Sequence, residues 1–545
     1  MMVTLILEAV SPSLRGTISK WMIEPRAGVF VGTLSATVRE ELWKRVCAES
    51  GAGRCVMIYS AANEQGFAIR SWGDSERVID VREGLYLVRR LPRVDDDIMR
   101  SADDVMRLWA KSDPFQPLVC HMVDVGHVAL ALLKTDAYRS VLDRWIRATG
   151  CPPEAAQSWI AFLAALHDWG KAWPNFQCRL VDGVHPSIYE ADFVLPGLEK
   201  IDDRLRHEKI TAQWALHFLT ELGWNRASAR TVAGALALHH SQIEGSDVVA
   251  LSDFPTKQRW LELKDEVRDL LFRAFSPPDW KAGFHDHSAA GLLLLGLTVW
   301  ADWIASNAEL FPLRWQGEEW ADYNALSAIA AERAVAKLGL GRGSQRKAFA
   351  SFGEMWPEFE GYSPVQQAVE ELANSETDLG LVIIEAPMGE GKSEAAFYLA
   401  SRLMEGGAGL YVALPTAATS NQMFRRVQDF LARMYPGRDL NVQLIHGMSW
   451  LVDQASPQRA PDVGTGEADR YHAFEWFLPR KRSLLSPFGV GTIDQALMAA
   501  LHIKFGFLRL FGLAGKVLIV DEVHACDAYM SEMLVHLLRW CRSLD

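Results

Sequence analysis

Apolar and polar residues follow different rhythms along the chain, and the rhythm changes twice. Residues 1–94 contain short apolar runs and period-two alternation, which predict strands such as Val3–Leu7 and Cys55–Ala61. Residues 105–340 contain long runs rich in Ala, Leu and Trp between short polar breaks, a pattern typical of packed helices. From about Gly361, apolar strands alternate with helical stretches, as in the βαβ units of a parallel sheet. The pattern therefore predicts a multidomain protein.

Individual elements can be placed within this outline. The first segment is predicted to form helices over Pro12–Glu24 and Ser35–Ser50, with Ser35 as the N-cap of the second. The apolar run near Ala289–Ala301 is shorter than the roughly 18–20 residues that a membrane span needs. We therefore interpret it as a buried helix and predict no membrane association. The further predicted strands are Gly66–Trp72, Leu85–Leu91, Leu381–Glu385, Gly409–Leu414 and Lys516–Val520.

Composition narrows the class of protein. The chain has 545 residues, of which 49% are hydrophobic and 23% charged, as in globular proteins. Its net charge of −12 excludes a uniformly basic nucleic-acid coat, although residues 1–94 carry 13 Lys and Arg against 10 Asp and Glu. The acidic stretch at 95–104 is predicted to be a solvated linker. Seven cysteines without a CxxC pair argue against a disulfide scaffold or a cysteine zinc site and fit the cytoplasm.

Histidines concentrate in the helical segment, where ten of the 15 fall between residues 121 and 287. Histidine and aspartate ligands suit manganese, iron, nickel, cobalt or magnesium. The doublet His167-Asp168 predicts a site for two divalent metal ions bridged by Asp168, with both residues catalytic and Lys171 neutralising a phosphate oxygen. A lone histidine on an apolar helix is more often a core residue. That interpretation applies to His127, His185, His217, His285 and His287.

The order of the remaining histidines and aspartates resembles the HD-type phosphohydrolase superfamily. The wider pattern, LxxHxxDV, LHDxGK, RHE, HH and ADW, resembles the nuclease domain of the CRISPR-associated helicase–nuclease of type I systems, the Cas-three family. The resemblance implies an all-α HD domain at residues 105–340 that cuts single-stranded DNA with bound metal. The family usually has HHG after the double histidine, whereas Ser241 follows here. The implied metal ligands are His121, His167, Asp168, His207, His239, His240 and Asp302.

The third segment carries two nucleotide-binding signatures. Ala386-Pro-Met-Gly-Glu-Gly-Lys-Ser393 follows a predicted strand and precedes a helix, which is the arrangement of a P-loop. Leu518-Ile-Val-Asp-Glu-Val-His524 is an apolar strand that ends in DExH. We predict that ATP and magnesium bind here and that Glu522 polarises the attacking water as a catalytic residue. The predicted ATP and magnesium ligands are Gly389, Gly391, Lys392, Ser393, Asp521 and Glu522.

Two further stretches resemble the DNA-contact motifs of superfamily-two helicases, with ordinary polar loops as the alternative. Their candidate DNA contacts are Thr416, Thr419 and Gln422 in the first and Thr492 in the second. The string DEVHACD again resembles the Cas-three family, which implies a single α/β RecA-like lobe with a parallel sheet at residues 341–545. A second lobe is expected to complete the ATP site. We therefore expect ATP turnover and unwinding to fail in this chain unless a further segment or a partner supplies that lobe.

The N-terminal segment carries a resemblance of its own. Ser11-Pro-Ser-Leu-Arg15-Gly16, Trp21-Met-Ile-Glu24 and Arg26-Ala-Gly28-Val-Phe-Val-Gly32 closely resemble the small CRISPR adaptation subunit of the type I-E kind, the Cas-two family. This implies a ferredoxin-like α+β domain at residues 1–94 that forms a homodimer, bridges integrase subunits and contacts DNA backbone. Glu8 replaces the Asp of many relatives, which favours a structural role over a nuclease in this domain. Arginine forks match phosphate oxygens, and the candidates are Arg15, Arg26, Arg77, Arg89 and Arg90.

Two compatible hypotheses follow for the whole chain. In the first, it is an antiviral-defence enzyme that cuts single-stranded DNA and works with a crRNA-guided Cascade-type surveillance complex. In the second, it is an assembly protein that tethers this nuclease to the spacer-integration complex. A third alternative is an HD-type nucleotide phosphohydrolase, against which the adjoining helicase motifs count.

Overall fold

The fold comprises an N-terminal α/β region, a helical region and a C-terminal region with a parallel sheet, in the predicted order. The predicted linker up to residue 103, together with His185 and Ser241, lies outside the described residues. The computed structural model describes residues 2–8, 10–49, 54–72, 77–82, 85–90, 104–112, 115–177, 206–240, 258–340, 346–375, 379–404, 408–436, 440, 442–445, 483–501, 503 and 505–544.

The N-terminal region is built on one antiparallel sheet with the strand order β2-β3-β1-β4-β5, beside which β6 and β7 form a separate hairpin. Alternate residues of the first strand, Val3, Leu5 and Leu7, are buried, as its period-two pattern predicts. The strands are β1 (Met2–Glu8), β2 (Ile23–Arg26), β3 (Val29–Thr33), β4 (Arg54–Ser60), β5 (Phe67–Trp72), β6 (Arg77–Arg82) and β7 (Leu85–Arg90), and the helices are α1 (Pro12–Ile18) and α2 (Ala36–Glu49).

Of the two predicted helices, the second has the predicted extent and the first is shorter than predicted. Ser35 caps α2 by accepting a hydrogen bond from the backbone N–H of Val38 at 3.3 Å, as predicted. The helix predicted over Pro12–Glu24 was wrong beyond Ile18, because the chain turns there into the β2–β3 hairpin. The hairpin turns at Gly28, whose φ of +79° favours glycine. A Cβ added at this position would lie 2.3 Å from the Leu7 carbonyl oxygen.

The helical region forms a bundle around two nearly buried helices, α4 and α11. By length and composition α11 could cross a membrane, but 78% of its apolar window is buried inside the protein, as the interpretation of a buried helix requires. The elements are α3 (Asp104–Arg107), β8 (Trp109–Ser112), β9 (Phe115–Pro117), α4 (Leu118–Leu133), α5 (Asp136–Thr149), α6 (Pro153–Ala165), a 3₁₀ segment (Leu166–Ala172), α7 (Pro174–Gln177), α8 (His207–Glu221), α9 (Arg226–Ala237), α10 (Gln258–Phe275), α11 (His287–Ala305) and α12 (Trp320–Lys337).

A buried polar network joins α4 to α12. The Asp124 carboxylate of α4 accepts hydrogen bonds from Ser327 Oγ at 2.6 Å, Tyr323 Oη at 3.0 Å and Gln116 Nε2 at 3.2 Å. Burial raises the pKa of Asp124 to about 7, although the hydrogen bonds from Ser327 and Tyr323 oppose the shift. The network holds the helix that carries His121 against its neighbour.

The raised pKa of Asp124 predicts a pH dependence of stability. Folding favours the protonated carboxyl, so its contribution is complete below the unfolded pKa of about 4 and is lost as the pH rises through about 7. The free energy of unfolding of the wild type, measured relative to Asp124→Asn, should therefore fall between about pH 4 and about pH 7. Urea denaturation of both proteins across this range tests it, and parallel profiles would contradict the prediction.

In the described part of the C-terminal region, four parallel strands lie in the order β11-β12-β10-β13, as its alternating pattern predicts. Short 3₁₀ turns occur at Ser483–Leu485, Met498–Ala500 and Val523–Ala525. The main elements are α13 (Phe352–Met355), α14 (Pro364–Ser375), α15 (Lys392–Leu403), β10 (Gly409–Leu414), α16 (Ala417–Met434), β11 (Val442–Ile445), β12 (Phe488–Thr492), α17 (Ile493–Leu497), α18 (Gly506–Leu513), β13 (Lys516–Val520) and α19 (Ala528–Ser543).

One predicted strand of this region is not formed. Leu381–Glu385 joins no ladder with the described strands, and Leu381 and Ile383 are 67% and 83% exposed. Val382 and Ile384 pack against the core of the region, so one side of the predicted apolar segment faces inward. A strand also needs a hydrogen-bonded neighbour, which a local pattern does not reveal.

The helical and C-terminal regions share a hydrophobic core. Phe511 of α18 is buried between them and stacks on Tyr138 of α5, with ring centroids 6.0 Å apart. Its ring also covers Gly296 of α11, where an added Cβ would lie 2.2 Å from the ring. The Tyr138 hydroxyl donates to the Leu485 carbonyl oxygen at 2.9 Å. The C-terminal region thus packs directly on the helix that carries Asp302.

Candidate metal centre

The seven candidate ligands come from five elements of the helical region, and their side chains lie close together. Their ligating atoms fall into two groups, each with all its atoms within 4.8 Å of one another. One group is Asp168, His207, His239 and His240, and the other is His121, His167 and Asp302. The ligands lie as follows: His121 in α4, His167 and Asp168 in the 3₁₀ segment, His207 at the start of α8, His239 and His240 in the turn after α9, and Asp302 in α11.

The carboxylate of Asp168 lies close to histidines of both groups. Its Oδ1 lies 3.3 Å from His207 Nε2 and 3.6 Å from His239 Nε2. Its Oδ2 lies 3.3 Å from His167 Nε2 and 3.6 Å from His121 Nε2. One carboxylate therefore faces both groups, each through a different oxygen, which is the geometry expected of a bridging ligand.

The outer members of the two groups are also held in place. Asp302 Oδ1 lies 3.3 Å from His121 Nε2 and 4.0 Å from His167 Nε2, and it accepts a hydrogen bond from Ser306 Oγ at 3.0 Å. On the other side, His240 Nε2 lies 3.3 Å from His207 Nε2. Two imidazole nitrogens at this separation point to a shared proton or a shared cation.

Hydrogen bonds set which ring nitrogens face the centre. Nδ1 of His167 donates to the Ala164 carbonyl oxygen at 3.1 Å, and Nδ1 of His239 donates to the Leu236 carbonyl oxygen at 2.6 Å. In each ring, Nε2 is therefore the nitrogen that faces the centre. Both Nε2 atoms and Asp168 Oδ1 are buried without a hydrogen-bond partner among the described residues. Buried acceptors that converge without donors fit a cation, so the residues present suit a divalent metal.

Electrostatics favour the protonation states that metal ligands need. Burial disfavours ionisation of Asp168, but Lys171 and His167 outweigh it and hold the pKa of the carboxyl well below its usual range. Burial lowers the pKa of His121 to about 4, and burial also lowers the pKa of His207. Asp302 likewise keeps a pKa below the usual range despite burial, because His121 and His167 lie beside it. The carboxylates are thus charged and the His121 and His207 rings neutral near neutral pH, whereas for His167 the neighbouring Asp168 outweighs burial and raises the pKa.

Two charged side chains border the ligands. Lys171, a predicted catalytic residue, places Nζ 2.7 Å from Asp168 Oδ2. Glu208 was missed by the sequence analysis, although it stands next to His207 in the RHE string. Its Oε2 lies 3.5 Å from His207 Nδ1, and its Oε1 accepts a hydrogen bond from Arg206 at 3.0 Å. Glu208 Oε2 is buried without a hydrogen-bond partner among the described residues, and a carboxylate behind a ligating histidine can orient the ring.

The approach of the 3₁₀ segment to α8 depends on Gly170. Its N–H donates to Thr211 Oγ1 at 2.7 Å, and an added Cβ would lie 2.1 Å from the His207 carbonyl oxygen and 2.7 Å from the Thr211 nitrogen. Gly170→Ala should therefore push Asp168 away from His207 and weaken metal binding about 10–100-fold. Calorimetric titration of the metal-stripped protein with Mn²⁺ measures the change. Gly234→Ala is the matched control, because Gly234 of α9 has nothing within 4 Å of an added Cβ. Equal affinities for the two variants would contradict the prediction.

The predicted ATP site lies in the C-terminal region. Gly389 and Gly391 have φ of +89° and +72°, which favour glycine, and α15 begins at Lys392. The Lys392 ammonium donates to the Ala386 carbonyl oxygen at 2.7 Å and the Pro387 carbonyl oxygen at 3.0 Å, and Ser393 Oγ accepts from Arg426 at 3.4 Å. The loop thus curls around the lysine as a P-loop does, and α15 packs against β13, the strand that precedes DExH.

The DExH residues follow β13. The backbone N–H of Asp521 donates to the Ala413 carbonyl oxygen at 3.0 Å, and its carboxylate accepts from the N–H of Glu522 at 3.0 Å. Glu522 has a φ of +55°, a conformation that a residue with a side chain adopts at a cost. Such strain is common where a side chain must point at a ligand.

The predicted DNA contacts of this region differ in accessibility. Thr416 Oγ1 caps α16 by accepting from the N–H of Thr419 at 3.2 Å, and Gln422 is exposed one turn further on. Thr492 is buried at the end of β12. The first three residues therefore form an accessible set from which Thr492 stands apart.

The predicted arginines of the N-terminal region lie on α1, on β2 and on the separate β6–β7 hairpin. Arg15 pairs with Glu24, and Arg26 is exposed on the edge strand β2. In the β6–β7 hairpin, Arg77 stands opposite Arg90 and Val78 opposite Arg89 in the backbone register. Three arginines therefore share one end of this hairpin.

The fold and the site together define a class. The protein has an HD-type helical domain with a His/Asp metal centre, preceded by an α/β domain and followed by a domain with a parallel sheet. A family model described as "Cas3, HD domain" matches residues 109–311. A second, described as "CRISPR-associated protein (Cas_Cas2CT1978)", matches residues 2–87. The chain therefore resembles a fusion of the CRISPR-associated Cas2 and Cas3 families, and its HD domain implies divalent metal binding.

Similar proteins support this assignment over most of the chain. The CRISPR-associated endonuclease/helicase Cas3 of Thermus thermophilus is 36% identical over 469 residues, which are 82% of this chain and 49% of that protein. The nuclease/helicase Cas3 of Streptococcus thermophilus is 29% identical over 79% of this chain and 50% of its own. A crystal structure of T. fusca Cas3 with AMPPNP superposes with a TM-score of 0.69 at 32% identity, covering 81% of this chain and 49% of that one. The chain spans about half the length of the curated relatives it matches.

Proposed function

We propose that the chain is a metal-dependent nuclease that cuts single-stranded DNA in antiviral defence. The observation that carries the proposal is the placement of Asp168, whose two oxygens face two histidine groups with buried, unsatisfied nitrogens. The endonuclease and helicase names of the relatives support the same reaction. The cytoplasmic location expected from cysteine usage agrees with such a role.

The residues divide the work as follows. Asp168 and Lys171 carry opposite charges at the centre, so the lysine can neutralise a phosphate oxygen that approaches the carboxylate. His121, His167 and Asp302 would hold one ion, and His207, His239 and His240 a second, with Asp168 bridging. Two divalent ions bound there, whether manganese, nickel, cobalt, iron or magnesium, would supply an activated water and a clamp on the phosphodiester. Glu208 keeps the His207 ring oriented.

A direct assay tests this proposal. The purified chain is stripped of metal and supplied with each of the five metals in turn, and circular single-stranded DNA is the substrate. We expect cutting with at least one metal and none with chelator, because the clustered ligands are arranged to hold the cations that would activate the attacking water. Intact DNA under every metal, from a folded protein, would overturn the proposal.

We also propose that the C-terminal region is a RecA-like helicase lobe that binds ATP with magnesium. Its support is the positive φ of Gly389 and Gly391 ahead of Lys392, together with Asp521 and Glu522 after β13. A fluorescent ATP analogue should bind the wild type at least about tenfold more tightly than Lys392→Ala, since the lysine reaches the phosphates in such loops. Equal affinities would overturn the assignment. Thr416, Thr419 and Gln422 are its proposed DNA contacts, with Thr492 as a less accessible fourth.

A second candidate function, assembly, rests on the N-terminal region. The strand order β2-β3-β1-β4 with two helices is that of a ferredoxin-like domain, and the hairpin arginines suit DNA phosphates. We propose that this domain forms a homodimer and binds an integrase subunit, which would tether the nuclease to the spacer-integration complex. A CRISPR RNA-guided surveillance complex in a pre-nicking state contains a chain that matches this one at a TM-score of 0.57, which supports a Cascade-type partner. Light scattering of the full chain tests the dimer, and a monomer at all concentrations would exclude it.

A further inference from the structure

Some residues beside the metal centre lie outside the sequence motifs that predicted its ligands. Gln177, fully buried at the end of α7, accepts a hydrogen bond from the backbone N–H of Trp109 at 2.9 Å. Its Nε2 donates to the carbonyl oxygens of Trp109 at 3.0 Å and Lys171 at 2.7 Å. This side chain therefore ties strand β8 to the 3₁₀ segment that carries His167, Asp168 and Lys171.

The tie brings a second lysine to the centre. Lys111 of β8 is half-buried, and β8 packs against both the 3₁₀ segment and α4. Burial lowers the pKa of the Lys111 ammonium, while Asp302 and Asp168, one from each ligand group, attract its charge and Arg314 and Lys171 repel it. Among the described residues, no ion pair or hydrogen bond engages this ammonium. A half-buried cation beside two carboxylates, with no partner of its own, is suited to an anionic substrate.

An aromatic ring also lies beside the metal centre. The ring of Phe176 in α7 is half-buried, with its centroid 5.5 Å from that of His207 and 4.6 Å from that of Trp109. Lys171 Nζ lies 5.2 Å from the centroid of the same ring. The flat apolar ring of Phe176 therefore lies beside the metal ligand His207 and beside the cation Lys171. An aromatic ring next to a cation is the combination that stacks a base while the cation holds its phosphate.

We propose that Lys111 and Phe176, beside Lys171, form a nucleotide subsite of the metal centre. Lys111 binds the phosphate next to the scissile bond, and Phe176 stacks the adjoining base. A stacked base must be unpaired, so the subsite selects single-stranded nucleic acid and reads no sequence. The inference rests on the proposed nuclease function and specifies how that site takes its substrate.

Binding of thymidine 3′,5′-bisphosphate tests the subsite without any cutting. The Mn²⁺-loaded full chain is titrated calorimetrically in a Lys392→Ala background, so that the P-loop lysine does not contribute. Lys111→Met should weaken binding about tenfold, because a charge-assisted contact is lost, and Lys111→Arg should recover most of it. Phe176→Leu should weaken binding at least about fivefold, and Phe176→Tyr should leave it nearly unchanged. Lys281→Met, which removes an exposed lysine between α10 and α11, is the matched charge control and should bind as the parent does.

The number of Mn²⁺ ions bound is measured for every variant. A residue that only binds substrate leaves this number unchanged, whereas a residue that supports the metal centre lowers it when substituted. Parent-like affinity of Lys111→Met and Phe176→Leu would overturn the inference even if the wild type cuts DNA. Loss of Mn²⁺ from both Lys111→Met and Lys111→Arg would overturn it too, since the lysine would then support the centre itself. If the wild type binds the bisphosphate through these residues but cuts no DNA, the proposed function is overturned and the subsite is not contradicted.

Discussion

Asp168→Ala is expected to abolish metal binding and to lower single-stranded DNA cleavage at least about 10³-fold. The carboxylate is the one group within 4 Å of four histidine nitrogens and of Lys171 among the described residues. Without it, the two histidine groups lose their shared ligand, and the lysine repels any cation that would bind there. Elemental analysis after dialysis against Mn²⁺ gives the stoichiometry, and a circular DNA assay gives the rate.

Two further variants make this result interpretable. Asp168→Asn keeps the side-chain volume and should lose metal as completely, because a neutral amide presents an N–H group to the histidine lone pairs. Asp265→Ala is the matched control, since Asp265 of α10 pairs with Arg268 at the surface. Full Mn²⁺ occupancy and cleavage in both Asp168 variants would show that the centre works without its bridging ligand.

Phe511→Ala should lower the free energy of unfolding by about 3–5 kcal/mol, the usual cost of truncating a buried phenylalanine. The ring is 1% exposed and fills the space between Tyr138 and Gly296, so its loss leaves a cavity between the helical and C-terminal regions. The two regions should then unfold in separate steps. Urea denaturation followed by tryptophan fluorescence detects both effects, since most of the buried tryptophans lie in the helical region.

Phe507→Ala provides the comparison on the same helix. Phe507 is half-buried, so its truncation should cost less than half as much. If Phe511→Ala unfolds at the same urea concentration and in the same single step as the wild type, the shared core is not what joins the regions. Gly296→Ala, which adds a methyl group against the Phe511 ring, should reproduce part of the loss from the other side.

The sequence analysis predicted the metal centre through short strings whose chemistry is local. His167-Asp168 and His239-His240 could be singled out because two metal-ligating residues stand side by side. Lys111, Phe176 and Gln177 carry no such signal. A lysine in a short strand and a phenylalanine in a short helix are ordinary surface and core residues until β8 and α7 are brought together. The residues around the ligands were therefore beyond reach of pattern alone.

The errors in secondary structure have the same origin. The apolar positions of Trp21 and Ile23 extended the predicted first helix, but both side chains are exposed beyond its end. The apolar run of Leu381–Glu385 is typical of a buried strand, yet the described sheet offers it no hydrogen-bonded neighbour. In both cases the local preference was read correctly, and a distant part of the chain decided the outcome.

The amino-acid sequence by itself determined the order of the three regions, the HD-type ligand set and the P-loop and DExH strings, because periodicity and motif chemistry depend on neighbouring residues. Only the tertiary structure decided that Asp168 faces two groups of ligands and that Gly170 lets the 3₁₀ segment touch α8. It also decided that the C-terminal region docks on α11 through Phe511. These are contacts between residues far apart in the chain, and they depend on how helices pack and where the backbone can approach closely.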